Sequence, residues 1–346
     1  MSNLRANSKA KLYTETGIFT CNAKTRRING ADDPVLLVFT RKYGREVVND
    51  RYRGQGTYVE LDWTAAAETG NPDDIIYDDL QAAFDGVAEQ YDQHILGNPI
   101  NTWLRNVSIS TLQQLFRPGS TVLEIGCGTG TETLKLARHG VKVLACDISG
   151  KMLEVLERKA KLEGLDDRVF TLHCRADGLK KGVHSSGFDK FDGAYSTYGA
   201  INTEPRLDDL FRDLHDLLKE DGILVLGVWN KYCLYETLGY LFRGRPDLAF
   251  ARLRNPVPIG RSRFCVASNA YSIASLGKHV ASFFKLESIL GVVIILPPSN
   301  LTRYLPRGRW LTFFKRLDLR LGRIFPFNRL GDHFLAVYTA RGEIQN

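Results

Sequence analysis

Between residues 75 and 230 the apolar positions follow two alternating rhythms. Short, nearly continuous apolar runs (TVLEIGC, VKVLACD, RVFTLHC, FDGAYS and ILVLGVW) are separated by segments whose apolar residues fall three and four apart. The runs predict strands buried on both faces and the spaced segments predict amphipathic helices, so their alternation predicts a parallel sheet covered on both sides. Ahead of the first strand, Ile76, Leu80, Ala83, Phe84, Val87 and Tyr91 recur at helical spacing until Gly97 and Pro99 close the segment, and a second helix is expected over about Asn101 to Phe116. Leu207, Leu210, Phe211, Leu214, Leu217 and Leu218 mark another helix before the turn at Asp221 and Gly222. KLESILGVVIIL and HFLAVYTA bring the expected sheet to seven strands. Residues 1 to 70 lack a strong period, but PVLLVFTRKYG and GTYVELDW read as short strands around the turn-rich NDRYRGQG.

Composition adds limits. Of 346 residues, 44% are hydrophobic, enough for an ordinary folded core. MSNLRANSKAKLY has no apolar stretch behind its basic residues, and the longest apolar run, ILGVVIIL, falls well short of the ~20 residues that cross a bilayer. Six cysteines lie scattered without a C-x-x-C pair, which argues against a zinc ribbon or a disulfide framework and predicts reduced thiols in the cytoplasm. No metal-ligand cluster is visible. The net charge of +7 is uneven: residues 231–330 hold 17 Lys and Arg against 4 Asp and Glu, or +13, leaving −6 for the rest.

The first strand ends in VLEIGCGTG, residues 122–130. In an open parallel sheet a ligand sits beyond the carboxyl ends of the strands, where glycines let it touch the backbone at a helix N-terminus. The next strand ends in Asp147, a carboxylate suited to two vicinal ribose hydroxyls. These features fit either a dinucleotide or another adenosine compound. The dinucleotide fingerprint asks for glycine at 131, where the chain has Thr131; it has Gly130 instead, giving G-x-G-x-G. Glu124, two residues before the first glycine, would repel a pyrophosphate and suits a cationic ligand.

Together with VLACDIS and FDGAYSTYGAI, this stretch resembles the class I S-adenosylmethionine-dependent methyltransferases, especially the ubiquinone/menaquinone-type small-molecule group, from about Phe84 to Trp229. The resemblance implies an α/β, Rossmann-like sheet, mostly parallel with an antiparallel last strand. It implies that Gly126, Gly128 and Gly130, with Cys127 and Thr129 between them, approach S-adenosylmethionine, that Glu124 orients its amino-acid end, and that Asp147, followed by Ile148, binds the ribose. Tyr91 would belong to a helix lying over the cofactor, although it fits core packing equally, and Ser196 would sit beside the methionine moiety. Where relatives commonly read Gly-Asp-Ala before the adenine, this chain reads Cys174-Arg175-Ala176 with the acid one residue late, so Ala176 and Asp177 are both adenine candidates.

Methyl transfer needs alignment and exclusion of water, and a base only when the acceptor must lose a proton. If HFLAVYTA runs antiparallel, as the family's final strand does, His333 faces the pocket; His94, near Tyr91, is the alternative base. Tyr198, Asn202 and Trp229 are the expected substrate contacts. YSTYG is not the Asp/Asn-Pro-Pro-aromatic motif of exocyclic-amine methylation, and no Pro-Cys nucleophile exists for cytosine C5 chemistry. The expected organisation is an extension over 1–74 with a β-rich character, a cofactor-binding core over 75–230, basic lid insertions with the sixth strand over 231–330, and the last strand and tail over 331–346. In the second insertion Trp310, Phe314, Leu317, Leu321 and Ile324 are expected on one helix face, with Arg309, Lys315, Arg316, Arg320 and Arg323 on the other. That suits a helix on an anionic membrane surface and, equally, a packed lid with a solvated basic face. Three classes follow: a methyltransferase of an apolar or lipid-linked small molecule, peripheral to the membrane; a nucleic-acid methyltransferase; and a non-catalytic cofactor-binding protein.

Overall fold

A computed structural model describes residues 9–14, 17–27, 57–62, 67–68, 72–197, 199–254, 256–257, 266 and 268–342. The chain divides into two compact units, 1–75 and 76–346. In the first, β1 (Lys9–Thr14), β2 (Gly17–Arg27), β3 (Thr57–Asp62) and β4 (Ala67–Glu68) form an antiparallel sheet in which β2 pairs with the other three. GTYVELDW is β3, whereas PVLLVFTRKYG and NDRYRGQG lie outside the described residues.

The second unit is built on the expected seven-stranded sheet. β5 (Thr121–Ile125) lies at its centre, β6 (Lys142–Asp147) and β7 (Val169–His173) on one side, and β8 (Phe191–Ser196), β9 (Leu218–Trp229), β11 (His333–Ala340) and β10 (Phe284–Val292) on the other, in the order β10-β11-β9-β8-β5-β6-β7. β5 to β9 are mutually parallel, and β11 runs antiparallel to both β9 and β10. Side chains alternate across this sheet. Leu123 and Leu144 join an apolar cluster with Phe211, Leu214 and Leu276, while Val122, Val143 and Ala145 join the opposite one with Ile100, Leu112 and Leu156. Each such fully buried aliphatic side chain contributes ~1.5–3 kcal/mol, so burial on both faces holds the sheet between its two helical layers, and the parallel sense of β5 to β9 puts their carboxyl ends on one edge.

The helices leading into the sheet are α1 (Pro72–Asp85), α2 (Tyr91–Leu96) and α3 (Pro99–Leu115). Pro99 opens α3 rather than closing the segment before it: it sits in the first turn, where its missing N–H costs nothing, and Asn98 caps the amides of Ile100 and Asn101 at 3.0 and 3.3 Å. α4 (Thr131–Arg138), α5 (Gly150–Leu162), α6 (Leu179–Ser185) and α7 (Leu207–Leu217) alternate with the strands.

Two insertions depart from the sheet. The first carries α8 (Leu234–Leu241), α9 (Pro246–Ala249) and α10 (Ile273–Val280). The expectation that the insertions within 231–330 are all lid is corrected at α10, whose Ile273, Leu276 and Val280 pack in the same cluster as Phe284 and cover the sheet. The second carries α11 (Arg309–Leu321). Its expected two-faced pattern is also corrected. Asp318, fully buried, accepts the amides of Val293, Ile294 and Ile295 at 2.7–2.9 Å, so the inner face is pinned to the end of β10 by a carboxylate. Lys315 lies over the Trp103 ring at 4.8 Å and is drawn inward, while Trp310, Phe313 and Ile324 are each more than half exposed. No helix among the described residues is long and apolar enough to cross a membrane.

Candidate active site

A cavity of about 680 Å³ runs along the carboxyl edge of the sheet. Cys174 and Ala176 past β7, Cys146, Asp147 and Ile148 at the end of β6, and Gly126, Cys127 and Gly128 past β5 line one half. Thr197 past β8, Trp229 at the end of β9, and Asp332 and His333 at the start of β11 line the other. The antiparallel sense of β11 is what delivers His333 here, in register with Trp229.

The glycine loop divides into a lining part and a buried part. Gly126, Gly128 and Gly130 all have positive φ (72°, 54° and 78°), which glycine adopts without strain. A Cβ on Gly128 would stand 3.6 Å from the Tyr91 ring, so that ring and the bare backbone face each other across the cavity wall. Gly130 is different. It does not line the cavity, and a Cβ there would meet Leu156 at 2.1 Å, so its glycine serves the packing of the loop on α5. Thr129 likewise turns away: it is 1% exposed, and its hydroxyl donates to Asp92 at 2.6 Å.

Asp147 lines the cavity with both oxygens partly engaged, Oδ2 accepting the Gly128 amide at 2.7 Å and Oδ1 the Ser149 amide at 2.9 Å. Burial raises its pKa, and these amides oppose the rise. The carboxylate therefore ties the end of β6 to the glycine loop and keeps further lone pairs for a ligand.

Glu124 corrects an expectation. It is 2% exposed, lies beneath the loop rather than in the cavity wall, and accepts hydrogen bonds from Thr133 and, at 2.7 Å, from the Tyr195 hydroxyl. Burial, then the charge of Glu132, pushes its carboxyl up to about 8 against the opposing hydrogen bonds of Thr133 and Tyr195 and the charge of Arg105. The charged groups that do line the wall at that end were missed: Glu132 on α4 and Arg105 on α3 form a buried ion pair, and Glu132 Oε1 is buried with no hydrogen-bond partner. Glu132 sits in the first turn after Gly130, a placement readable from the sequence; nothing local marks Arg105.

Ser196 and Asp177 are also corrected. Ser196 is 1% exposed and donates to the Ile125 carbonyl at 2.9 Å, clipping β8 to β5. Asp177 stands outside the lining and pairs with Arg175 at 3.0 Å, because the acid displaced by one residue falls on the outer side of a 3-10 turn; Ala176 lines the cavity in its place. Asn202 lines the cavity with its amide committed to backbone: Nδ2 donates to the carbonyls of Trp229 and Asn269, and Oδ1 accepts the Trp229 amide at 2.9 Å. It shapes the second half of the cavity by fixing Trp229. Tyr198 and the side chain of His94 lie outside the described residues.

At the far end His333 Nδ1 is 2.9 Å from Asp332 Oδ2. Asp332 and Glu236 both pair with the buried Arg252, whose guanidinium lies 4.8 Å from the Trp229 ring centre. Glu236 and Asp332 with Cys233 place potential metal-binding atoms within 4.8 Å of one another. Arg252 already supplies the positive charge between those carboxylates.

Residues 122–222 match a methyltransferase domain family. A putative methyltransferase of Geobacillus sp. (strain WCH70) is 28% identical over 43% of this chain and 58% of its own length. The demethylmenaquinone methyltransferase of Clavibacter sepedonicus is 36% identical over 42% of this chain and 56% of its own. The tRNA 5-carboxymethoxyuridine methyltransferase of Escherichia coli (strain K12) is 27% identical over 44% and 58%. The chain thus spans less than two thirds of the length of these relatives. The matched domain contains β5 through the start of β9, with the glycine loop and Asp147, and stops short of the insertions. By that match residues 122–222 form a methyltransferase domain of the class I S-adenosylmethionine-dependent kind.

Proposed function

We propose that the protein transfers a methyl group from S-adenosylmethionine to an apolar or lipid-linked small molecule, on oxygen or carbon, drawn from an anionic membrane surface. The observation that carries this reading is the continuity of one cavity from the glycine loop to His333. The half beside β5 and β6 fits the cofactor. Glu132 Oε1 is a buried acceptor without a partner, suited to an ammonium group, and Arg105 beside it suits a carboxylate. Asp147 suits the ribose diol, the bare backbone of Gly128 allows close approach, and Ile148 and Ala176 offer an apolar seat for adenine. Bound there, the cofactor supplies an electrophilic methyl group.

The chain's own residues then orient and dehydrate the acceptor. Tyr77, Leu80 and Phe84 of α1 and Trp229 line the cavity with apolar surface. Tyr77 donates to Glu204 at 2.5 Å, latching α1 across the opening, and Asp85 accepts from the Ser149 hydroxyl at 2.6 Å. His333, oriented through Nδ1 by Asp332, receives the proton that a hydroxyl or acidic carbon gives up. Outside, Phe242, Trp310, Phe313, Ile324 and Phe325 are 53–88% exposed on the two insertions. Arg309 and Arg329 lie over the rings of Trp310 and Phe325, an arrangement of aromatic groups and cations suited to a lipid interface. The relatives' names span a quinone and a tRNA nucleoside, so the acceptor class is the point to test. The test is a labelled-methyl screen of lipid and aqueous extracts: label in an organic-phase product supports the reading, and label confined to RNA contradicts it.

A further inference from the structure

The strands whose ends meet the cavity stand in the order β6, β5, β8, β9 and β11, so the carboxyl end of β8 lies between the glycine loop after β5 and the Trp229–His333 pair on β9 and β11. Thr197, the residue that follows β8, lines the cavity at that seam. It is 6% exposed, and its hydroxyl makes no hydrogen bond among the described residues. Ser196, one residue earlier, spends its own hydroxyl on the Ile125 carbonyl at 2.9 Å. A buried hydroxyl on a cavity wall that the fold leaves without a partner is a group kept for a ligand.

The seam is held from both sides. A Cβ on Gly227 of β9 would stand 3.2 Å from the Thr197 Cα and 3.2 Å from Leu335 Cδ2, so the bare backbone of β9 is what lets Thr197 lie close over the sheet. On the other side the loop after β8 rests on the glycine loop, since a Cβ on Gly126 would fall 2.4 Å from the Ala200 Cβ. Asn202 then ties that loop to β9, accepting the Trp229 amide at 2.9 Å and donating to the Trp229 carbonyl at 3.0 Å. Thr197 thus has a fixed place between the loop proposed to seat the cofactor and the Trp229 ring. That ring lines the cavity, with the Arg252 guanidinium 4.8 Å from its centre, and offers a flat apolar surface to an aromatic acceptor.

We infer that Thr197 holds the reacting oxygen of the methyl acceptor and that this acceptor is a phenol-like hydroxyl on an apolar ring, which narrows the proposed reaction to O-methylation. This rests on the reading that the cofactor occupies the glycine-loop half. A ligand atom that meets both halves passes the end of β8, where Thr197 offers a neutral hydroxyl. An acceptor oxygen takes a hydrogen bond from it, which orients the remaining lone pairs and stabilises the charge that gathers as the proton leaves; a nucleophilic carbon has no such bond to make. In the transfer the acceptor's O–H bond and the donor's S–CH3 bond break and an O–CH3 bond forms. The S–C electron pair stays on sulfur, and the proton passes to His333, the base of the proposed function.

The experiment measures binding, not turnover. The full-length protein, saturated with S-adenosylhomocysteine, is titrated by calorimetry with para-ethylphenol and with para-ethyltoluene, which has nearly the same shape and no hydroxyl. In Thr197→Val the phenol is expected to bind about five- to tenfold more weakly, through loss of one neutral hydrogen bond, while the toluene and S-adenosylhomocysteine stay within about twofold of their wild-type affinities. Thr197→Ser, which keeps the hydroxyl, is expected to hold the phenol within about twofold of the wild-type protein. Should Thr197→Val fail to fold, Thr197→Ala takes its place against the same Thr197→Ser. Unchanged phenol affinity in the folded variant overturns the inference, as does a parallel loss of both probes or a Thr197→Ser variant as weak as Thr197→Val. So does the absence of phenol binding to the wild-type protein while S-adenosylhomocysteine binds. Failure of S-adenosylhomocysteine to bind strikes the cofactor reading instead.

Discussion

The two halves of the cavity are built by different means. The glycine-loop half is assembled from residues close in sequence: Gly126, Cys127, Gly128 and Glu132 follow one strand, and Asp147 ends its neighbour. The half around His333, proposed to take the acceptor, is assembled from residues far apart, with Trp229, Glu236, Arg252 and Asp332 spread over roughly a hundred positions and brought together by two insertions. The first half couples binding to the core of the fold, because Asp147 and the loop are held by backbone amides. The second couples it to the lid, because Arg252 and Asn230 tie the insertions to β9 and β11. One half is set by the sheet, whereas the other is free to vary with the insertions.

The largest expected effect falls in the first half. Arg105→Ala strands Glu132 as an unpaired buried charge and should cost about 3–5 kcal/mol of folding stability in chemical denaturation, with loss of cofactor affinity. Comparable stability of Arg105→Ala and the wild-type protein would mean that water already reaches this pair. A pH experiment sharpens the same point. Glu124, held at about 8 by burial and by Glu132, is protonated in the folded chain at neutral pH but ionises near its ordinary value of 4.5 when unfolded. Its contribution to stability is therefore complete below pH 4.5 and is lost as pH rises through 8. Glu124→Gln should flatten the fall in Tm over that window, an effect on the order of a few kcal/mol at its alkaline end. A wild-type Tm that does not fall there would contradict the assignment. The smallest effect belongs to the exposed side of the lid: replacing Arg316, Arg320 and Arg323 with serine should lower association with anionic liposomes by roughly tenfold or more and leave cofactor affinity unchanged. Undiminished sedimentation with liposomes would remove α11 from the membrane reading.

The same division explains what the sequence made legible. Strand–helix alternation between 75 and 230 and the placing of Gly126, Gly128 and Asp147 on one edge follow from period and motif, while the antiparallel final strand and the place of His333 follow from the family resemblance. Glu124 and Ser196 lie in or at the end of buried strands and point away from the cavity, a distinction that a motif read along the chain does not make. Arg105 was invisible because it meets Glu132 only through the packing of α3 on α4. Asp318 is the one acid of the basic helix α11, yet it holds three amides at the end of β10 and thereby determines which face of α11 is outside. The Glu236–Arg252–Asp332 cluster has no sequence signature, since its partners are up to 80 residues apart and each alone resembles an ordinary surface charge.

The division of the cavity between cofactor and acceptor is tested most directly by calorimetric titration of S-adenosylmethionine into Asp147→Ala and His333→Ala side by side. The account predicts that Asp147→Ala weakens binding by at least about tenfold, through loss of a charged acceptor to buried hydroxyls, while His333→Ala stays within about twofold of the wild-type protein. Unchanged affinity in Asp147→Ala, or an equal loss in both variants, would contradict it.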